Sequence, residues 1–175
     1  MRMKKNIITS VILAAALISA ASCDSKPAET TKASAAQTTA AVQTVSDVKA
    51  ADITAAVLEE IPIASAFEKS KETLEDYFDK MDTATIADFS YWMCASGAYP
   101  DEIAVFRFDS SDSATAAVSA VEARLQDQKD LYETYTPDEF YKLQGAIIKQ
   151  SGDWVYYIVT SDNARAEEII KSKLG

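Results

Sequence analysis

The chain has 175 residues, enough for one domain and a shorter appended segment, and its 27 acidic against 17 basic residues give a formal net charge of −10. Such a negative surface repels phosphate backbones, which excludes most classes of nucleic-acid-binding protein. Histidine is absent, so the commonest general base and the commonest transition-metal ligand are missing, and we expect no metal or other cofactor.

Residues 1–22 predict a secretory signal peptide. Arg2, Lys4 and Lys5 give a positively charged start, and an apolar stretch from Ile7 to Ala21 follows. This stretch is shorter than the roughly 20 residues that a transmembrane helix needs. Removal of the segment would leave a mature chain with a net charge of −13.

Cys23 ends a segment that resembles a bacterial lipobox. In that motif small residues, here Ala20-Ala21-Ser22, precede a cysteine that receives diacylglycerol and becomes the mature N-terminus. Ala20 departs from the leucine usual at its place, and an ordinary signal peptide with an incidental cysteine is the alternative. The resemblance implies a lipoprotein, anchored by acyl chains such as palmitate on the extracytoplasmic face of the cell membrane. Two or more acyl chains anchor a protein stably.

Residues 23–50 predict the lipidated cysteine followed by a disordered linker. From Asp24 to Val45 the segment consists mainly of Ala, Thr, Ser, Lys and Gln, and it contains no aromatic residue. With so little to bury, ordering this segment would not offset its loss of conformational entropy. A flexible coil of about 25 residues would let the following domain sit about 25–30 Å from the membrane.

Residues 51–175 are predicted to form a single domain. Its first half should contain a helix over Ala51–Ile61 and a second helix over about Glu68–Met81, because apolar residues recur there at helical spacing. Two strands should follow. Alternation of apolar and polar residues predicts the strand Thr85–Ser96, and a β-branched and aromatic run predicts the strand Glu102–Phe108.

The second half of the domain should begin with a long amphipathic helix that ends near Tyr135. Asp109-Ser110-Ser111-Asp112 supplies its cap residues, and Thr136-Pro137-Asp138-Glu139 has the pattern of a capping box for a short helix. Two β-rich runs joined at Gly152 predict a hairpin, and a final helix should follow. The runs are Ala146–Gln150 and Trp154–Thr160, and the final helix is capped by Ser161-Asp162-Asn163.

The predicted elements follow the order β-β-α-α-β-β-α after the N-terminal helices. Two hairpins with a covering layer of helices predict an α+β two-layer sandwich with a mainly antiparallel, four-stranded sheet. In such a sandwich the second face of the sheet is open.

Three short motifs of this domain are Asp101-Glu102-Ile103-Ala104-Val105-Phe106-Arg107, Tyr135 with Pro137, and Gly152 with Trp154-Val155. They resemble those of a family of clostridial and other Gram-positive lipoproteins that contain a domain of unknown function. The resemblance covers roughly Leu74–Leu174 and brings no catalytic residue with it. Members of that family often accompany membrane-bound O-acyltransferases, which implies an accessory role in the modification of surface polysaccharide.

The sequence names no catalytic residue: carboxylate pairs could support general acid–base work, but among 27 acidic residues no pair stands out. Cys94 is the one thiol left once Cys23 is lipidated, and without histidine a Cys–His pair is excluded. We expect Cys94 to be a buried strand residue. Arg107 lies among apolar neighbours on a central strand, where it could hold an anionic ligand. The ordinary interpretation is an ion pair with one of the many acids.

The aromatic β region offers a candidate binding surface. If its residues shared the open face of the sheet, they would form a platform for a sugar or a protein, whereas packing in the core and at the sheet edge is the ordinary interpretation. The candidate residues are Tyr91, Trp92, Tyr99, Arg107 and Tyr156.

Two functions from different classes remain. The first is a non-enzymatic accessory or binding module, anchored at the cell envelope, whose partner is a membrane protein or a glycan. The second is an envelope hydrolase or transferase that uses carboxylates as general acid and base. We favour the first because histidine and a catalytic motif are both missing. The solute receptor of a transporter is disfavoured, because such receptors need two lobes and this domain provides one.

Overall fold

A computed structural model describes residues 48–175, and the predicted signal peptide, Cys23 and most of the predicted linker lie outside these residues. The described helices and strands are α1 Ala50–Glu60, β1 Ala66–Glu68, β2 Ile86–Cys94, β3 Glu102–Phe108, α2 Ser111–Tyr135, α3 Phe140–Gln144, β4 Ile147–Ser151, β5 Trp154–Val159 and α4 Asn163–Leu174. Within this part of the chain, no helix combines the length and the apolar character that crossing a bilayer requires.

The five strands form one antiparallel sheet in the order β1-β2-β3-β5-β4, with β3 at its centre. The sequence of β3 suits this place, because apolar side chains project from both of its faces. Ile103 and Val105 face one way, Ala104 and Phe106 face the other, and all four are fully buried.

Helices cover both faces of the sheet, so the domain has three layers. α2 and α3 pack on the face that carries Ala104 and Phe106, and α1 and α4 pack on the face that carries Ile103 and Val105. The predicted α+β class and antiparallel sheet are confirmed, with five strands rather than four. The face predicted to be open is covered, because α1 and α4 are themselves amphipathic and bury their apolar stripes against it.

β1 is the strand that the sequence did not reveal. It pairs with the edge of β2, and the chain then makes a 3₁₀ turn over Lys71–Asp76, so the helix predicted over Glu68–Met81 is wrong. Leu74 and Phe78 nevertheless reach the core, where both are fully buried. Helix propensity is a weak preference that tertiary packing often overrides, and here the apolar residues are buried from a 3₁₀ turn instead of an α-helix.

Side chains of the sheet hold the start of α1. The backbone N–H of Ala50 donates to Asp88 Oδ2 at 2.8 Å, and Thr54 Oγ1 lies 2.7 Å from Ser90 Oγ. A carboxylate at the first turn of a helix also suits the positive end of the helix dipole. The first residue of α1 is therefore fixed to β2, one residue before the predicted start.

Two helices begin at the predicted caps. Ser110 Oγ accepts a hydrogen bond from the Ser113 N–H at 3.2 Å at the start of α2. Asp162 Oδ1 accepts one from the Arg165 N–H at 3.0 Å at the start of α4. Each cap satisfies a backbone donor that the first turn of a helix leaves unpaired.

Candidate ligand-binding cleft

The structure separates the five residues that the sequence proposed as a binding surface. Tyr91 and Tyr156 are buried, so the interpretation as core packing is confirmed for these two residues, and they do not belong to a binding surface. Tyr91 packs on the α2 face of the sheet, whereas Trp92 and Tyr156 pack on the opposite face. The shared aromatic platform is therefore not formed, because α1 and α4 occupy the face on which it was expected.

Arg107 and Trp92 are half-buried and have structural partners. Arg107 Nε donates to Asp153 Oδ2 at 2.9 Å, and its guanidinium carbon lies 5.5 Å from the ring centroid of Trp154. The Trp92 indole N–H donates to Ser90 Oγ at 3.1 Å. The ordinary interpretation of Arg107 as one half of an ion pair is thus confirmed.

Cys94 is a buried, free thiol at the end of β2, as the sequence predicts. Its sulfur accepts a hydrogen bond from the Ser96 N–H at 3.4 Å. Among residues 48–175, no group of three or more cysteine, aspartate or glutamate side chains is placed to hold a metal ion.

Tyr99 differs from the other four predicted residues because 43% of its surface is exposed. It lies in the connection between β2 and β3, and it lines an open cleft of about 360 Å³ together with Tyr135, which is 64% exposed. This volume falls within the range of about 300–1,000 Å³ that is usual for ligand pockets. The other lining residues are Ala98, Thr136, Pro137, Asp138 and Glu139.

Tyr132 joins the two sides of this Tyr99–Tyr135 cleft. Its hydroxyl donates to the backbone carbonyl of Tyr99 at 3.0 Å, which ties the β2–β3 connection to α2. Its ring also contacts that of Tyr135 edge to face, with the centroids 6.5 Å apart. Edge-to-face contact is a preferred geometry for aromatic pairs, so it helps to hold Tyr135 in place.

A buried lysine supports the acidic wall of the cleft. Lys142 Nζ lies 2.7 Å from Asp101 Oδ2 and 2.7 Å from Glu139 Oε2. Burial alone would lower the pKa of Lys142, but the hydrogen bonds to these two carboxylates outweigh it and raise the pKa. The same ammonium lies 5.5 Å from the ring centroid of Tyr99. The carboxylate of Glu139 and the ring of Tyr99 are thus positioned by one charge.

The engagement of Glu139 with Lys142 also explains why the predicted capping box is absent. Thr136 makes no side-chain cap bond, and a 3₁₀ turn over Pro137–Glu139 leads into α3. The Thr136 hydroxyl oxygen is buried and has no hydrogen-bond partner among the described residues. The Thr136 hydroxyl is therefore enclosed behind the lining of the cleft and does not face a ligand.

A second buried ionic cluster lies next to this network, where α2 packs on β3. Arg124 pairs with Glu102 through two nitrogens, and Tyr91 OH donates to Glu102 Oε2 at 3.0 Å. The Gln128 amide, with its oxygen turned towards Arg124, accepts from Nη1 at 2.9 Å and from Nη2 at 3.1 Å. Burial raises the pKa of Glu102 against the opposing effect of Arg124.

A perturbed carboxylate often marks an active site, but Glu102 is fully buried and its oxygens are already engaged. A general acid or base must come within hydrogen-bonding reach of its substrate. The Glu102 cluster therefore stabilises the packing of α2 and has no access to a ligand.

A larger cavity of about 540 Å³ lies between β4 and α4. Two of its charged groups are paired: Glu167 Oε1 lies 2.9 Å from Lys171 Nζ and accepts from Tyr156 OH at 3.3 Å. Burial and the nearby Glu167 raise the pKa of Tyr156 to about 12. Tyr156 is the one aromatic residue in the described lining, and it is buried. This cavity therefore has no exposed aromatic ring for a ligand to pack on, unlike the Tyr99–Tyr135 cleft.

Sequence reasoning identified Tyr99 but missed Tyr135, Asp138 and Glu139. Tyr135 appeared as the end of a helix, and the two acids appeared as helix-capping residues. A usable signal was present in α2, since a large aromatic residue beyond the apolar stripe and next to a proline turn has no place in the core.

Comparison with known proteins identifies the family of this chain but indicates no activity. The sequence pattern of the domain of unknown function DUF4358 matches residues 64–160, and no catalytic family is indicated. No curated protein and no solved structure matches the chain significantly. The matched region includes the whole sheet and every residue that lines the Tyr99–Tyr135 cleft. Because the match spans more than half of the 175 residues, the chain belongs to the DUF4358 family.

Proposed function

We propose that this protein is a non-enzymatic binding module, held at the cell envelope by a lipid on Cys23, and that it binds its partner through the Tyr99–Tyr135 cleft. The observation that carries the proposal is the pair of exposed tyrosines in one cleft, each held by a contact with Tyr132. Aromatic side chains are enriched where proteins bind partners, and a wall fixed beforehand lowers the entropy cost of binding.

The chemistry of the cleft supports binding rather than turnover. Its carboxylates come from Asp138 and Glu139, and Glu139 is already paired with Lys142. No histidine is available anywhere in the chain as a base. The carboxylate with the raised pKa, Glu102, is enclosed by Arg124 and Tyr91 and lies in the core.

The first 23 residues support the location. A positive start, an apolar stretch and small residues before Cys23 occur in the order of a lipoprotein signal. Diacylation would hold the protein stably on the extracytoplasmic face. An accessory role beside a membrane enzyme that modifies surface polysaccharide is consistent with this location, and nucleic acid is not a partner in this proposal.

Two substitutions test the binding role, with soluble material from the envelope of the source organism titrated onto the full chain immobilised in detergent micelles. Tyr135→Ala should lower the affinity at least about tenfold, because exposed aromatic anchors contribute most to binding. Tyr141→Ala is the matched control, since Tyr141 is 54% exposed on α3 but does not line the cleft. Equal affinity for the two variants would overturn the proposed binding surface.

The anchor is tested separately by feeding cells a clickable fatty acid. Wild-type protein should carry the label and sediment with membranes, whereas Cys23→Ala should lose the label and appear in the soluble fraction. A labelled Cys23→Ala protein would exclude Cys23 as the lipidation site. If the wild-type protein carried no label, the proposal that this protein is a lipoprotein would be wrong.

A further inference from the structure

We propose that the ligand of the Tyr99–Tyr135 cleft is a glycan without acidic groups, and this inference rests on the binding role proposed above. Three features of the lining lead to it: exposed aromatic rings, oxygen acceptors beside them, and an excess of negative charge.

The aromatic rings suit the apolar face of a sugar ring. A pyranose presents a face of C–H groups, and a tyrosine ring can pack on such a face while its hydroxyl stays in water. Tyr99 and Tyr135 are both exposed and line the same cleft. A binding site for a quaternary ammonium ion would instead surround the cation with several aromatic faces. The described lining contains two aromatic residues, Tyr99 and Tyr135, which do not enclose a cation in this way.

The polar groups beside the rings match sugar hydroxyls. The carboxylates of Asp138 and Glu139 can accept hydrogen bonds from neighbouring hydroxyl groups, and such charge-assisted bonds are stronger than neutral ones. The Thr136 hydroxyl oxygen is buried, so these two carboxylates are the side-chain acceptors that the described lining offers. Binding pockets commonly combine a few such polar groups with aromatic walls.

The charge of the cleft argues against acidic polymers. Lys142, whose ammonium lies beside the Tyr99 ring, is already held between the carboxylates of Asp101 and Glu139. Asp138 adds a further negative charge to the lining. The described lining contains no lysine or arginine, so a ligand that carries carboxylate or phosphate would meet like charges there without a cation to offset them.

The test uses the full chain in detergent micelles and a panel of oligosaccharides, with affinity measured by calorimetry. The panel holds uncharged oligomers of glucose, mannose, galactose and N-acetylglucosamine, the amine-bearing oligomer of glucosamine, and the acidic oligomer of galacturonate. At least one non-acidic oligomer should bind, and galacturonate should bind at least about tenfold more weakly. A tenfold rise in salt separates the two non-acidic classes, because it weakens binding of the amine-bearing oligomer and not of the uncharged ones.

Substitutions assign the binding to the cleft. Tyr135→Ala and Tyr99→Ala should each lower the affinity for the bound oligomer at least about tenfold, and Tyr141→Ala should leave it within about twofold. Tyr135→Phe keeps the ring and should retain binding, which separates loss of stacking from loss of the hydroxyl, and an unchanged unfolding midpoint of Tyr135→Ala shows that this variant folds. Equal affinity of Tyr135→Ala and wild type would overturn the assignment.

Two results would overturn the ligand class and leave the binding role intact. One is preferential binding of galacturonate. The other is failure of every non-acidic oligomer to bind while Tyr135→Ala still abolishes binding of envelope material. In the second case, proteolysis of the bound material identifies a protein partner if it removes the binding. Loss of the difference between Tyr135→Ala and Tyr141→Ala on envelope material would instead overturn the binding role itself.

Discussion

At the scale of single residues, two buried tyrosines differ in one hydrogen bond. Tyr91 OH donates to Glu102, whereas Tyr157 OH is buried without a partner among the described residues. A buried hydroxyl without a partner destabilises the folded state, while a hydrogen bond to a charged group stabilises it. We therefore expect Tyr157→Phe to raise the free energy of unfolding by about 1 kcal/mol and Tyr91→Phe to lower it by about 1.5–3 kcal/mol.

Urea titration of both variants measures these changes, and each variant is the control for the other because both lose one oxygen from a buried ring. Equal losses of stability in Tyr157→Phe and Tyr91→Phe would contradict the difference between their environments.

The same tyrosines make the domain sensitive to alkali. Burial raises the pKa of both Tyr91 and Tyr157 above 10 in the folded state. Below pH 10 both states keep these protons, so the stability that they contribute is fully present. Above pH 10 the unfolded chain releases protons that the folded chain retains, so the free energy of unfolding should fall by about 1.4 kcal/mol per pH unit for each tyrosine.

Urea titration between pH 9 and pH 11.5 measures this slope. The Tyr157→Phe variant should show a shallower decline than wild type, because one of the two groups is gone. A stability that does not change over this interval would contradict the burial of the two hydroxyls.

At the scale of elements, the pairing of Arg124 with Glu102 fixes α2 on β3. Arg124→Met would leave the fully buried Glu102 without its counter-ion, and it should cost about 3–5 kcal/mol of stability. The double variant Arg124→Met with Glu102→Leu should recover most of that loss, because an apolar pair removes the desolvation cost of both charges.

Arg107→Met is the matched control. Its partner Asp153 is about one third exposed, at 34% of the side-chain surface, and a pair so close to solvent contributes about 0–1 kcal/mol. Thermal unfolding of the three variants checks the prediction. An Arg124→Met variant as stable as Arg107→Met would show that Glu102 has another way to satisfy its charge.

The β4–β5 hairpin depends on one glycine. Gly152 has φ of +60°, a conformation that costs a residue with a Cβ about 1–2 kcal/mol. A Cβ at Gly152 would meet no atom within 4 Å, so Gly152→Ala should destabilise the domain by that strain alone. Gly97→Ala is the control, since its surroundings are equally open and its φ is not positive. Equal unfolding midpoints for the two variants would contradict the strain.

Local patterns predicted most elements for identifiable reasons. β3 matches its predicted bounds because its run of β-branched and aromatic residues is unbroken, and α2 begins where Ser110 provides a cap. β1 could not be predicted from three residues without alternation, because its strand conformation comes from pairing with β2. The Tyr99–Tyr135 cleft was half visible in the sequence. Tyr99 was chosen for its aromatic ring, but the approach of Tyr135 depends on how α2 crosses the sheet.

At the scale of the whole molecule, the third layer decides where a ligand can bind. α1 and α4 bury the face of the sheet on which an aromatic platform was expected, and Tyr156 is enclosed beneath α4. Tyr99 and Tyr135, the exposed aromatic residues of the cleft, lie at one end of the domain. At this end β3 and α3 begin and α2 ends. Both faces of the sheet are buried in the core, so we expect a ligand to bind at the connections at the end of the sheet.

The measurement that tests the central claim most directly is photo-crosslinking in living cells of the source organism. A benzophenone amino acid at position 135 of the full chain should give a discrete adduct with an envelope component, and the same group at position 141 should give none. Both positions carry exposed tyrosines, so the two probes are equally accessible. An adduct from position 141 with none from position 135 would contradict the claim that this protein binds its partner through the Tyr99–Tyr135 cleft.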